Sequence, residues 1–130
     1  MRGVPVTAPM AKIAGLYERV VYVVTGSGIG PCLGQLVTND VAAQLVWSTR
    51  DPLRTYGDAL VGEVRAAQPD AVIWDTTSHG EPDLLHLTLD AYHAFGAEAV
   101  LIVSNKSTTF RLVHELERRG VPAVGPIWDS

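Results

Sequence analysis

Cysteine is almost missing from this sequence. A single thiol, Cys32, stands among 130 residues, so no internal disulfide can form, and there is no Cys-x-x-Cys metal or redox motif. The four histidines, His79, His86, His93 and His114, are badly spaced for a metal. Only His86 and His93 are placed to share a helix face, and two imidazoles without thiolate neighbours make a poor site. Long apolar runs are missing too. No stretch reaches the ~20 residues that cross a bilayer as a helix, and the segment Met1 to Ala14, with Pro5, Pro9 and Lys12, lacks the apolar core of a signal peptide. Positive charge is scarce: 10 Lys and Arg face 14 Asp and Glu, for a net charge of −4. That balance speaks against a nucleic-acid partner, because duplex affinity rests on cations that neutralise phosphates. The one adjacent basic pair, Arg118-Arg119, is expected to complement a helix dipole. These absences leave a cytoplasmic protein as the expectation, with no metal and no nucleic acid.

What is present is apolar sequence broken at regular intervals. Hydrophobic residues make up 47% and charged residues 18%, the balance of a globular chain, and this length suits one domain burying about two-thirds of its unfolded surface. Val20–Val24 reads as a strand buried on both faces, since it is β-branched and does not alternate. A short helix is expected over Cys32–Val37, a second strand over Val41–Trp47 and a helix over Tyr56–Ala67. A third strand, Ala71–Trp74, precedes a helix that starts near Pro82-Asp83, turns Leu85, Leu89 and Tyr92 to one side and stops at Gly96. The fourth strand is Ala99–Val103. A helix capped by Ser107 or Thr108 follows, with Phe110, Val113 and Leu116 inward and Gly120 as its stop. Val121 to Ile127 makes a last strand that belongs at a sheet edge, because Pro122 and Pro126 cannot both donate to a ladder. The alternation predicts an α/β fold with a three-layer Rossmann-like architecture, a five-stranded parallel sheet and right-handed crossovers; among the orders such a sheet can take, 3-2-1-4-5 is the one expected here. Residues 1–130 form a single domain in this reading, with a leading segment over 1–18.

Ligands of such sheets bind beyond the carboxyl ends of the strands, where strand order reverses. The segment after the first strand is Thr25-Gly26-Ser27-Gly28-Ile29-Gly30-Pro31. Strand, glycine turn, then helix is the order that presents backbone N–H groups to a phosphate, and it equally suits a tight connection with no ligand. Cys32 at a helix N-terminus could be an activated thiol, although a small buried residue is the simpler reading. Asp75 with Ser78 and His79 suggests hydrolysis, but the Gly-x-Ser-x-Gly elbow is absent; a ribose-binding or loop-capping carboxylate fits better. Trp47 and Trp74 read as core or crevice walls. No residue is assigned a catalytic role.

Gly26-Ser27-Gly28-Ile29-Gly30-Pro31 resembles, position by position, the Gly-x-Gly-Ile-x-Pro turn of the nicotinamide-nucleotide module in the ferredoxin–NADP reductase superfamily. The strand Val100 to Asn105, the helix Thr109–Arg119, Gly120-Val121-Pro122 and Ile127-Trp128-Asp129 follow the layout of that family's last third. Phrases such as Trp47-Ser48-Thr49-Arg50-Asp51-Pro52 and Gly125-Pro126-Ile127-Trp128-Asp129-Ser130 are similar to the C-terminal part of TmpA-type membrane oxidoreductase-like proteins. The resemblance implies a reductase half that binds nicotinamide dinucleotide and passes hydride to a flavin. It implies cofactor contacts at Thr25, Gly26, Ser27, Gly28, Ile29, Gly30 and Pro31. Ser48, Thr49 and Arg50 would flank the adenosine, and Ser104 and Asn105 the nicotinamide. It also gives Trp128 either a flavin-covering or a packing role.

The departures from the family matter as much. No flavin-binding barrel precedes the first strand, so flavin would have to come from a partner or a missing domain, which includes a membrane partner and a cytoplasmic portion of a membrane-associated assembly. Ser104 and Asn105 stand where the family has Cys-Gly. Asp75-Thr76-Thr77 stands where NADP-dependent relatives hold the 2′-phosphate with Ser and Arg; a carboxylate there favours NAD(H) over NADP(H). The rival expectation is a non-catalytic interaction or sensory module, or a fragment of a longer membrane-associated protein, that keeps the fold with weak or no nucleotide binding.

Overall fold

The computed structural model describes residues 17–26, 29 and 42–125. Strand β1, Arg19–Thr25, carries the sequence RVVYVVT, and Val20 through Val24 are all at 0% exposure. A strand with no wet face must lie in the middle of a covered sheet. β2 (Ala42–Thr49) pairs with it in parallel from Arg19 opposite Ala42 to Thr25 opposite Ser48. On the other side β4 (Ala99–Val103) pairs in parallel from Val20 opposite Ala99 to Val24 opposite Val103. β3 (Val72–Asp75) lies outside β2 and β5 (Ala123–Val124) outside β4, giving the order β3-β2-β1-β4-β5, all parallel, as expected.

Alternate strand residues feed two cores. Val20, Tyr22, Val24, Leu45, Trp47 and Leu101 meet Val61 and Val64 of α1 (Pro52–Ala67). Val21, Val23, Val46, Val100 and Ile102 meet Leu112 and Leu116 of α4 (Lys106–Arg118), with Leu84, Leu85, Leu89 and Tyr92 of α3 (Leu84–Phe95) packed alongside. Each such aliphatic side chain contributes about 1.5–3 kcal/mol on burial. A single helical turn, α2 (Thr76–His79), links β3 to α3. Asp83 caps α3 by accepting the His86 N–H, and Gly96 ends it in the left-handed conformation, both where the sequence places them. The Arg19 guanidinium donates to the Phe95 carbonyl at 2.9 and 2.6 Å and lies over the Phe95 ring, tying the start of β1 to the end of α3. Among the described residues, no helix is long and apolar enough to cross a membrane.

Several boundaries differ from expectation, for identifiable reasons. β2 runs on through Ser48 and Thr49 because β3 offers them ladder partners, Trp74 and Asp75. For the same reason Asp75 is the last residue of β3 rather than the first of a loop. α1 starts at Pro52, a residue suited to a first helical turn, and breaks at Gly57 (φ 86°, ψ 162°) before its longer part. The cap of α4 is Asn105, not Ser107 or Thr108: its Oδ1 accepts the Thr108 N–H at 2.8 Å. The helix packs on the sheet through Thr109, Leu112, Val113 and Leu116, while Phe110 is 53% exposed instead of buried. β5 is shorter than the expected Val121–Ile127, but it is at the edge. The expected helix Cys32–Val37, and Pro126 to Asp129 with Trp128, lie outside the described residues.

Just after β5, Gly125 packs against α4 so tightly that a β-carbon there would sit 2.1 Å from Thr109 Cγ2. Thr109 itself is 3% exposed, and its hydroxyl has no hydrogen-bond partner. Gly125→Ala is therefore expected to lower stability by about 1–3 kcal/mol through overpacking. Thr109→Val keeps the shape, removes the unpaired hydroxyl and is expected to raise stability by about 1 kcal/mol. Urea denaturation of the two variants measures both.

Candidate functional site

The order β3-β2-β1-β4-β5 reverses between β1 and β4, so the crevice of this fold opens beyond Thr25 and Val103. Parallel register lines up hydroxyls there. Ser48 is opposite Thr25 on β2, and Ser104 follows Val103 on the other side. The Thr25 and Ser104 hydroxyls are 2.5 Å apart in a hydrogen bond across the switch point. Ser48 and Ser104 are nearly buried, at 6% and 9% exposure, which sets a short polar row on top of an apolar sheet.

The chain then turns at Gly26, whose φ of 55° falls in the left-handed region that favours glycine. Its carbonyl accepts the Trp47 indole N–H at 3.1 Å, and no atom lies within 4 Å of where a β-carbon would be. The buried indole thus fixes one side of the turn and leaves the other open. Ile29 is 1% exposed and belongs to the core cluster of Val24 and Trp47, so its side chain anchors the turn from below. Ser27, Gly28, Gly30 and Pro31 lie outside the described residues.

The outer residues are arranged differently from the row. Thr49 is buried within β2, and Arg50 is exposed, its carbonyl accepting the Thr55 hydroxyl at 2.8 Å. Asp75, two strands and so roughly 10 Å from β1, is engaged by its own surroundings. Its Oδ1 accepts the Asp51 and Thr77 N–H groups, each at 2.9 Å, and its Oδ2 accepts the Ser78 hydroxyl at 3.2 Å. The Asp51 amide first, then Thr77 and Ser78, hold its carboxyl below the ordinary carboxylate range, outweighing the opposing effect of desolvation. Asp75 is thus the loop-capping carboxylate, joining the segments after β2 and β3. Asp51, which no motif singles out, adopts φ 41°, ψ 69° to present its N–H, and this is the one non-glycine residue with positive φ among those described. Asn105 is exposed and committed through Oδ1 to capping α4. Among the described residues, no three His, Cys, Asp or Glu side chains gather to hold a metal.

The structure therefore joins Thr25, Gly26, Ser48 and Ser104 into one crevice rim, with Asn105 at its β4 end and Asp75 and Arg50 at its β2–β3 end. The sequence profile of the adenylate-forming reductase 03009 C-terminal domain matches residues 10–130. The chain belongs to this family. Over all 130 residues it is 42% identical to adenylate-forming reductase 03009 of Coprinopsis cinerea, and 42% identical to adenylate-forming reductase 06235 of the same organism. It spans 13% of the length of each of these relatives.

Solved structures share the fold of this domain. The C-terminal domain of a Pyrococcus furiosus hydrogenase aligns with a TM-score of 0.58 at 13% identity, covering 85% of this chain and 92% of that one. A mutant ferredoxin–NADP+ reductase from Plasmodium falciparum, in complex with 2′P-AMP, aligns with a TM-score of 0.50 at 11% identity, covering 88% and 54%. The likeness is to the ferredoxin reductase-like fold and does not single out the TmpA-type branch.

The engaged carboxylate gives a pH signature. Because the folded pKa of Asp75 is depressed, its stabilising effect is complete above the unfolded carboxylate value near ~4 and is lost as pH falls through the folded value. Asp75→Asn is expected to melt at a lower temperature than the parent at pH 7, with the gap narrowing toward pH 2. Thermal melts across that range check it; a constant gap would detach Asp75 from the acid limb.

Proposed function

We propose that this domain is a nicotinamide-dinucleotide-binding module of a reductase, its ligand lying across the β1–β4 switch point. The observation that carries the reading is the hydroxyl row Ser48, Thr25 and Ser104 beside the open, left-handed Gly26. In this arrangement the turn after β1 receives pyrophosphate and ribose, Ser48 and Arg50 flank the adenosine, and Ser104 and Asn105 flank the nicotinamide. Thr49 supports that side from within β2, where it is buried. The bound dinucleotide supplies a hydride, which a flavin carried on another domain or polypeptide takes up. Membership of a family named for reductases supports the redox assignment.

NAD(H) is the preferred form. Asp75 is held ionised at the end of β3 by three hydrogen bonds, and a fixed negative charge there repels a 2′-phosphate. One observation favours a second reading, an interaction module with little nucleotide affinity: Asn105 spends its side-chain oxygen on the α4 cap rather than on a ligand.

Titration calorimetry separates the two. NADH is expected to bind with a Kd between about 10 μM and a few mM, and Thr25→Val, which removes a hydroxyl while keeping the side chain's shape, is expected to weaken it about tenfold. Absence of heat and of any thermal shift at millimolar NADH would leave the interaction module. In the same assay Asp75→Asn is expected to raise NADPH affinity relative to NADH about threefold to tenfold; an unchanged ratio would remove Asp75 from the adenosine side.

A further inference from the structure

The described helices cover only part of the sheet face opposite α1. α3 lies against β1 and β2, and α4 lies against β4 and β5. Beneath β3 a groove of about 510 Å³ opens, walled by Val72, Leu87, Ala91, Ala94 and Phe95 and flanked by the carboxylates of Asp70 and Asp90. Val72 is 37% exposed there, at the start of an edge strand. The groove lies toward the amino ends of the strands, since Asp70 comes just before β3, Val72 opens it and Phe95 closes α3. That places it away from the hydroxyl row at the carboxyl ends.

The polar groups of the groove select its occupant. Gln44 is spent, its amide donating to the Asp70 carbonyl at 2.8 Å and the Leu45 carbonyl at 3.3 Å. Arg19 stacks on Phe95, and its Nε and Nη2 donate to the Phe95 carbonyl. Among the described residues Asp90 pairs with an exposed His86, at 3.2 Å. What remains is an apolar trough with anionic sides, which suits aliphatic residues flanked by Lys or Arg, whose stems pack on apolar walls while their heads meet carboxylates. A second copy of the chain is a poor fit, because a two-fold contact sets each patch against itself and brings these aspartates together. The relatives supply an occupant of the right kind: 87% of their length lies outside the part matched here, since the chain spans 13% of them.

We infer that this groove docks another part of the reductase polypeptide, through an apolar segment bearing Lys or Arg. An array of overlapping peptides of about 15 residues, tiling reductase 03009 of Coprinopsis cinerea, tests it with the labelled domain as bait, each peptide paired with a version in which Lys and Arg become Glu. Capture is expected for basic apolar peptides and not for their acidic versions. In solution the best peptide is expected to shift the amide resonances of Val72, Ala91 and Ala94. Asp70→Lys combined with Asp90→Lys, and separately Ala91→Arg, are each expected to weaken it about tenfold, with NADH titration unchanged. The two aspartates are exposed, so the double variant keeps the test valid even if Ala91→Arg unfolds the domain. No capture, capture indifferent to these substitutions, or self-association of the peptide-free domain abolished by Ala91→Arg would each overturn the inference.

Discussion

The structure depends on the burial of β1 on both faces. Val20 through Val24 expose nothing to water, so every N–H and C=O of that segment must be satisfied sideways, by another strand. β2 and β4 supply those bonds, and β1 becomes the centre of the sheet. Because the chain passes from β1 outward to β2 and β3 before returning to β4, its central strand is also the point where order reverses. Thr25 and Gly26 arrive at the crevice for that reason. Two contacts hold the strand in place lengthwise: Arg19 grips the end of α3, and Trp47 grips the carbonyl of Gly26.

This dependence explains what could be read in the sequence. Strands buried on both faces appear as unbroken apolar runs, so β1 and β4 followed from pattern alone, while apolar runs do not fix the order 3-2-1-4-5 that the sheet adopts. Polar residues that continue a strand did not: Ser48, Thr49 and Asp75 look like loop until their neighbours' register is known. Phe110 misled because it shares a helical spacing with Val113 and Leu116, while the helix packs through the neighbouring stripe of Thr109, Leu112 and Leu116. Asn105, Ser107 and Thr108 are all competent caps, and only the structure shows that Asn105 is used. In the crevice, Thr25, Gly26, Ser48 and Ser104 were each legible as strand-end residues. The bond between Thr25 and Ser104, 79 positions apart, was not. Nor was the partner of Asp75, since a left-handed Asp51 is encoded in no local motif.

The two ends of the crevice differ in how easily they can yield to a ligand. A neutral hydroxyl pair contributes only about 1 kcal/mol net, so Thr25 and Ser104 can exchange their mutual bond for bonds to a ribose or amide at little cost. Asp75 accepts three hydrogen bonds that join two loops, and releasing them would unfasten α2 and the start of α1. On the proposed reading, its influence on a nucleotide is therefore electrostatic: a fixed negative charge, not a mobile hydrogen-bonding partner. Ser104 in place of the resembled family's cysteine fits the same division, because a hydroxyl makes the switch-point bond that a thiol would make weakly.

α3 lies between the crevice and the groove, and its fixation limits how the two can communicate. The helix is capped by Asp83 at one end, closed by Gly96 at the other and held there by Arg19. A helix held this firmly does not slide when a segment occupies the groove beside it, so docking has no evident means of reshaping the hydroxyl row. On the proposed reading its effect would be on position: it would confine the module close to whatever accepts its electrons, turning a bimolecular encounter into a local one with a raised effective concentration. For a module proposed to hold a dinucleotide and to pass its hydride to a flavin carried elsewhere, that confinement is the contribution an interaction surface is best placed to make.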